Sequence, residues 1–169
     1  MATPIDVVEK ELGPVIEIDV NTAMWKMPAT MREGFEVLSD VTEQAGVDCT
    51  LAPYARFLEI DWSAEAKRGF LSTLIQVFSK PSHFRMGMPI SAPIPHVDDI
   101  RSEILANRRY VRAVHVGPYQ EVGDTYKRMA VWAQDNNLAL APESIELYLN
   151  DPRITEKDQL QTELLIPLT

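Results

Sequence analysis

The sequence predicts an α+β protein built from two copies of one plan, and three observations carry that prediction. Leu51-Ala52-Pro53 precedes an apolar run in the first half, as Leu140-Ala141-Pro142 does in the second. Met86-Gly87-Met88-Pro89-Ile90 is echoed by Leu164-Leu165-Ile166-Pro167-Leu168. Each half also carries an apolar stripe of helical period, starting near Phe35 and near Tyr126, next to stretches of strand period. Two packed copies create a groove between them, and such grooves take small ligands. The prolines give the register. Pro142 follows Pro53 by 89 residues and Pro167 follows Pro89 by 78, so the first copy is 11 residues longer between them. A helix expected at 63–79 accounts for the difference. The stripe gives 91, Tyr126 against Phe35, so a loop differs by two residues.

Taken in order, Val15-Ile-Glu17-Ile-Asp19-Val20 alternates apolar and acidic residues, as a half-buried strand does. Thr30-x-x-Glu33 has the form of a capping box, and Phe35, Leu38, Val41 and Ala45 continue at helical spacing to Gly46, a C-terminal cap. Tyr54 to Trp62 is a second strand. Ser63 caps a helix carrying Phe70, Leu71, Leu74, Ile75 and Phe78, stopped by Pro81. His83 to Ile90 is a third strand, weakened or bulged at Gly87. The proline-rich Ser91–His96 reads as the linker. This divides a single domain into repeat 1 at about 1–90, a linker at about 91–98 and repeat 2 at about 99–169.

In the second copy, Ile100 to Leu105 fits a strand or a short helix. Arg109 to Val116 is a strand with Tyr110, Arg112 and Val114 on one face and Val111, Ala113 and His115 on the other. Gly117-Pro118 ends it. Val122, Tyr126, Met129 and Ala133 make a helical stripe beside Trp132, and Asn136-Asn137 stops the helix. Ser144–Leu149 and Thr162–Leu168 are the last strands, with a helical turn at Thr155-x-x-Asp158 between them.

Composition excludes several classes. The chain has 169 residues, 46% hydrophobic, with 16 basic against 25 acidic side chains and a net charge of −9. That balance disfavours a phosphate-tracking surface, so no direct nucleic-acid partner is expected. The single cysteine, Cys49, excludes an internal disulfide framework and a cysteine zinc site. No apolar run reaches the ~18 residues of a membrane span, and the first residues lack a signal-peptide pattern, so the expectation is cytoplasmic. His83, His96 and His115 are too scattered for a metal site, and no cofactor is expected.

Four strings in one order resemble a known family. Tyr110-Val-Arg-Ala-Val-His115-Val-Gly117-Pro118-Tyr119, then Trp132, then Ile145-Glu146-Leu147-Tyr148-Leu149-Asn150-Asp151-Pro152, then Leu160–Leu168, are similar to GyrI-like domains. These are also called bacterial transcription-activator effector-binding domains. The resemblance covers roughly residues 100–169; the first half matches in pattern only. It implies two pseudo-symmetric βαββ repeats, a concave sheet platform with helices behind, and a ligand groove between repeats. Members bind amphipathic, often cationic, organic molecules, as drug sensors or gyrase-protecting proteins. Some hydrolyse cyclopropane-bearing compounds with a groove Glu and a nearby aromatic residue.

Glu163, in an otherwise apolar strand, matches that groove Glu by position. In the groove it would hold a cation or act as a base; otherwise it is a solvated strand carboxylate. Its partner in the first copy is Arg85, which would either pair with it or leave it the only central carboxylate. Glu146 and Tyr148 share a face that is either the groove floor or an exposed sheet face. Tyr119 would stack on a ligand. Trp132 reads as core, while Trp25, Trp62 and Tyr54 line the groove mouth or cover the core edge. His115 reads as structural, holding the following turn. The expected function is therefore binding of a small amphipathic or cationic organic molecule, for sensing, sequestration or detoxification. A hydrolase of electrophilic rings or esters is the alternative, with Glu163 as base and Tyr148 orienting the substrate. A module that shields a protein partner such as gyrase is the third reading.

Overall fold

The computed structural model describes residues 3–67 and 82–169. The strands are β1 Ile5–Lys10, β2 Gly13–Thr22, β3 Tyr54–Leu58, β4 Ser82–Pro89, β5 Ile100–Leu105, β6 Arg108–Val116, β7 Glu143–Tyr148 and β8 Gln161–Pro167. The helices are α1 Met27–Ala45, α2 Trp62–Lys67 and α3 Val122–Asp135. The class is α+β, as the sequence predicts. The expected helix at 63–79 is helical through Lys67; residues 68–81, including Phe70 to Phe78, lie outside the described residues.

Two compact units emerge. The first collects β1, α2, β6, α3, β7 and β8. Its strands pair in the order β1-β6-β8-β7, all antiparallel. The second collects β2, α1, β3, β4 and β5, pairing as β5-β2-β4-β3, again antiparallel. Each has a strand–helix–strand–strand run, with one further strand on the edge of the run's first strand. In the first unit that further strand, β1, comes from the far N-terminus. Its alternation is weak, because Val7 and Val8 are adjacent, so a period of two does not mark it in the sequence.

In the first unit, β6 and β8 pack their Val111, Ala113, Leu164 and Ile166 side chains against Met129 and Ala133 of α3. Ile5, Trp62, Tyr126, Trp132 and Leu138 extend this cluster. Trp132 is thus a packing residue. Full burial of one such aliphatic side chain contributes ~1.5–3 kcal/mol, so the α3–sheet contact holds this unit together. Asn137 adopts the left-handed conformation (φ 54°) that ends α3.

In the second unit, α1 packs on β2 and β4. Gly34 lets the helix come close: a Cβ there would lie 2.7 Å from Met86 Sδ. Gly46 ends α1 at φ 67°. The start of α1 differs from the capping-box expectation. The helix begins at Met27, with Lys26 at the cap position, no side-chain cap and Pro28 in the first turn. Proline there lacks only an N–H that has no helical partner anyway, so the helix starts a turn earlier. Thr30 instead meets Thr22, hydroxyl to hydroxyl, at 3.1 Å.

Gly87 does not bulge β4. It pairs in register with Glu17 on one side and Tyr54 on the other. A Cβ there would lie 2.2 Å from Cζ of Tyr54. The glycine makes room for that ring. Ile145 stands across from Leu165, and Tyr54 across from Gly87, each two residues before the strand's proline. That register matches Tyr148 with Phe57, where the Leu-Ala-Pro strings would match it with Glu59. Glu59 lies beyond β3 with φ 61°.

Candidate functional site

Alternation along β7 decides the chemistry of the first unit. Glu146 stands opposite Leu164 and Tyr148 opposite Thr162, whereas Leu147 stands opposite Glu163. Directly opposed residues share a face. Leu164 belongs to the cluster under α3, so Glu146 and Tyr148 point to the helix side. Glu163 points the other way.

On the helix side, Glu146 sits among tyrosines. Tyr126, on α3, donates its hydroxyl to Glu146 Oε1 at 3.0 Å and meets Ser144 Oγ at 3.0 Å. Tyr148 donates to Glu146 Oε2 at 3.1 Å. The Tyr119 ring meets the Tyr148 ring edge-on, with centroids 5.5 Å apart. Trp62, from α2, lies 5.6 Å from the Tyr126 ring and donates its indole N–H to Ala141 O at 2.7 Å. Glu146 itself is only 8% exposed. Burial pushes its carboxyl up to about 7, against the opposing pull of the two tyrosine hydrogen bonds. Burial first, and then the Glu146 charge, push the Tyr148 hydroxyl well above its ordinary range. Tyr119 is raised by burial and then by Asp151 and Glu146. Tyr119 and Tyr148 remain protonated, and Glu146 changes charge near neutrality. A buried group with that behaviour can hold a cation or take a proton.

His115 supports this cluster from below. Its Nε2 lies 3.1 Å from the Pro118 carbonyl oxygen and its Nδ1 lies 3.0 Å from Thr125 Oγ1. A carbonyl only accepts, so Nε2 carries the proton and Thr125 donates to Nδ1. The ring pins the turn Gly117-Pro118-Tyr119, with Gly117 at φ 131°. That sets where Tyr119 meets Tyr148.

The remaining candidates lie elsewhere. Glu163 is 7% exposed and contacts Lys10 Nζ and, at 3.7 Å, Arg112 Nη1. Arg112 in turn holds Asp6 through two bonds of 3.0 and 2.9 Å. Glu163 is therefore not on the face of Glu146 and Tyr148; the pleat puts it on the opposite one. Arg85 binds Glu17 at 3.3 Å, Asp19 at 3.1 Å and Glu103 at 3.3 Å. Tyr54 is fully buried and donates to Glu17 at 2.6 Å. Trp25 is 75% exposed, with the Lys26 ammonium 4.9 Å from its ring.

Two features escaped the sequence reading. Tyr126 was legible only as part of an apolar stripe; its hydroxyl at the strand side of α3 needs the register of β7. Glu17 shares its alternating strand with Asp19, yet it is fully buried, held by Tyr54, Arg56 and Arg85. Among the described residues, no group of three or more His, Cys, Asp or Glu could hold a metal ion. None of their helices is long and apolar enough to cross a membrane.

The pattern of the GyrI-like small molecule binding domain matches residues 75–169, more than half of the chain. The chain belongs to the GyrI-like family. Its Glu146 cluster is thus part of a small-molecule-binding domain. Compared with curated proteins, the sequence finds no match. Among solved structures, this GyrI-like fold is similar to the EcmrR C-terminal domain, with TM-score 0.73 and 16% identity over 100% of this chain and 99% of that one. In the EcmrR–DNA complex the TM-score is 0.75 at 16% identity, over 99% of this chain, and the chain spans 58% of EcmrR. It is similar to SAV2435 bound to tetraphenylphosphonium, with TM-score 0.58 and 9% identity over 100% and 94% of the chains. A hydrolase encoded by lin2189 from Listeria innocua gives 0.59 at 11% identity over 97% and 92%. Such identities establish the GyrI-like fold alone.

Proposed function

We propose that this GyrI-like domain binds a small amphipathic organic cation at the Glu146 cluster, as a sensing, sequestering or detoxifying protein. One observation carries the reading: a buried carboxylate that ionises near neutral pH stands among Tyr119, Tyr126 and Tyr148, with Trp62 against Tyr126. The aromatic rings supply apolar surface and cation–π attraction, worth roughly 0.5–2 kcal/mol per contact. Glu146 supplies charge. The fold shared with SAV2435, which was captured with tetraphenylphosphonium, supports the ligand class. Glu163 has no ligand contact in this reading, because Lys10 and Arg112 compensate its charge.

The test is calorimetry of wild type and Glu146→Gln with lipophilic organic cations, tetraphenylphosphonium included. Loss of the carboxylate should lower affinity about tenfold to a hundredfold. Unchanged affinity would overturn the proposal.

A hydrolase is the second reading, favoured by the same carboxyl: a pKa near 7 suits a general base. Glu146 would activate water, and Tyr148 would orient an electrophilic ring or ester. Here Glu146→Gln should abolish turnover and leave substrate binding within a few-fold.

A further inference from the structure

Thr162 lies in the middle of the first unit, on β8, directly opposite Tyr148 on one side and His115 on the other. It therefore faces the helix side, diagonal to Glu146 across the same ladder. It is fully buried, and its Oγ1 has no hydrogen-bond partner among the described residues. Buried hydroxyls are nearly always hydrogen-bonded, so an orphan beside a candidate ligand site calls for a partner. Glu146 points the same way. A carboxylate offers about four acceptor positions, and the tyrosines occupy one on each oxygen. The Glu146 carboxylate thus has room for further donors, and the Thr162 hydroxyl has no partner among the described residues.

The chemistry that fits is a cation that donates at least two N–H groups. An ammonium nitrogen forms charge-assisted bonds of about 2.8 Å along tetrahedral directions, so it bridges oxygens about 4.5 Å apart. A quaternary cation has no N–H. Seated at Glu146 it would gain charge attraction and aromatic contact, but it would shut the Thr162 hydroxyl away from water without a partner. Leaving such groups unmet is how a polar site rejects an analogue that lacks the donor.

We propose that Thr162 and Glu146 together make the site selective for primary and secondary ammonium groups on an apolar body, over quaternary cations of the same shape. This rests on the reading of the Glu146 cluster as the ligand site. Thr162 is then a specificity residue kept at some cost to the ligand-free fold.

The test uses a matched pair at pH 8, N-methyl-1-naphthylmethylamine, protonated, and (1-naphthylmethyl)trimethylammonium, titrated by calorimetry. Wild type should bind the secondary amine at least about tenfold more tightly. Thr162→Val keeps the side-chain shape and removes the hydroxyl. It should weaken the secondary amine about tenfold, leave the quaternary cation within about twofold, and raise the melting temperature of the ligand-free protein by about 2–4 °C. Thr162→Ser should keep the preference. Equal affinities in wild type would overturn the selectivity, as would equal weakening of both cations in Thr162→Val. A Thr162→Val protein that melts lower or does not fold would also count against it, since the hydroxyl would then have a structural partner. Glu146→Gln separates the two levels. If it leaves both cations unaffected, or if neither binds wild type, the binding site itself is wrong. If it weakens both while wild type does not discriminate, only the selectivity falls.

Discussion

Leu147 stands across the ladder from Glu163, and this one pairing puts Glu163 and Glu146 on opposite faces of the same four strands. Both carboxylates are buried, but in opposite company. Glu163 meets two cations, Lys10 and Arg112; Glu146 meets tyrosine hydroxyls. The two respond differently to the same substitution.

Glu163→Gln should destabilise the protein by about 1–3 kcal/mol, because it leaves Lys10 and Arg112 beside each other without the shared anion. Affinity for an organic cation at Glu146 should stay within about threefold. Urea denaturation and calorimetry on one sample check both. A large loss of affinity with little loss of stability would return Glu163 to the ligand site.

Glu146 should make stability depend on pH with a definite sign. Its folded-state value, about 7, is above the ordinary 4.5. Between those values the folded protein holds a proton that the unfolded chain has released. Stability from this group is full below about pH 4.5 and is lost as pH rises through 7, in total about 3 kcal/mol. Glu146→Gln removes that slope, so the variant should gain on wild type by about 2–3 kcal/mol between pH 4.5 and 8. Parallel urea-denaturation curves across this range would contradict it. Cation affinity should run the opposite way, rising from pH 6 to 8 as Glu146 ionises.

Gly87→Ala should cost about 1–3 kcal/mol through collision with the Tyr54 ring. The cost should largely vanish in a Tyr54→Ala background. A double-mutant cycle read by urea denaturation measures this, and additivity would exclude the collision as cause.

His115→Ala should loosen the turn that carries Tyr119. Cation affinity should fall several-fold, while the pH dependence set by Glu146 keeps its midpoint. A moved midpoint would mean that His115 acts on the charge rather than on the ring's position.

Much of this was legible beforehand because it is local. The faces of β6 and β7 follow from alternation, so Glu146 and Tyr148 were already on one face and His115 opposite Arg112. Gly46 and Asn137 announce their helix ends through the left-handed backbone they tolerate. What could not be read depends on register between distant strands. The pleat decides that Glu163 shares a face with Leu147, and only pairing places Lys10 beside it. Offset arithmetic set Arg85 against Glu163 and left open whether they pair. Within its own unit Arg85 meets Glu17 and Asp19 of β2 and Glu103 of β5. Gly87 reads as a weak point in sequence, yet the reason for it, the Tyr54 ring, comes from another strand.

The position of β1 has a consequence for how this chain can be cut. Lys10, its last residue, pairs with Arg108, the first residue of β6. The two strands are the arms of a β-hairpin whose loop runs from Glu11 to Asn107, and that loop contains the whole second unit together with Leu58–Arg68, the segment of α2 that belongs to the first. The second unit is thus inserted into a hairpin of the first in two pieces, before and after α2. A fragment beginning at Arg108 would bare the edge of β6 and invite strand-to-strand association. Closing the hairpin with an Asn-Gly turn between Lys10 and Arg108 restores that edge. Such a minimal protein would carry Glu146, its tyrosines and Thr162 but would lose α2, so the Trp62 ring that packs on Tyr126 would have to be supplied separately.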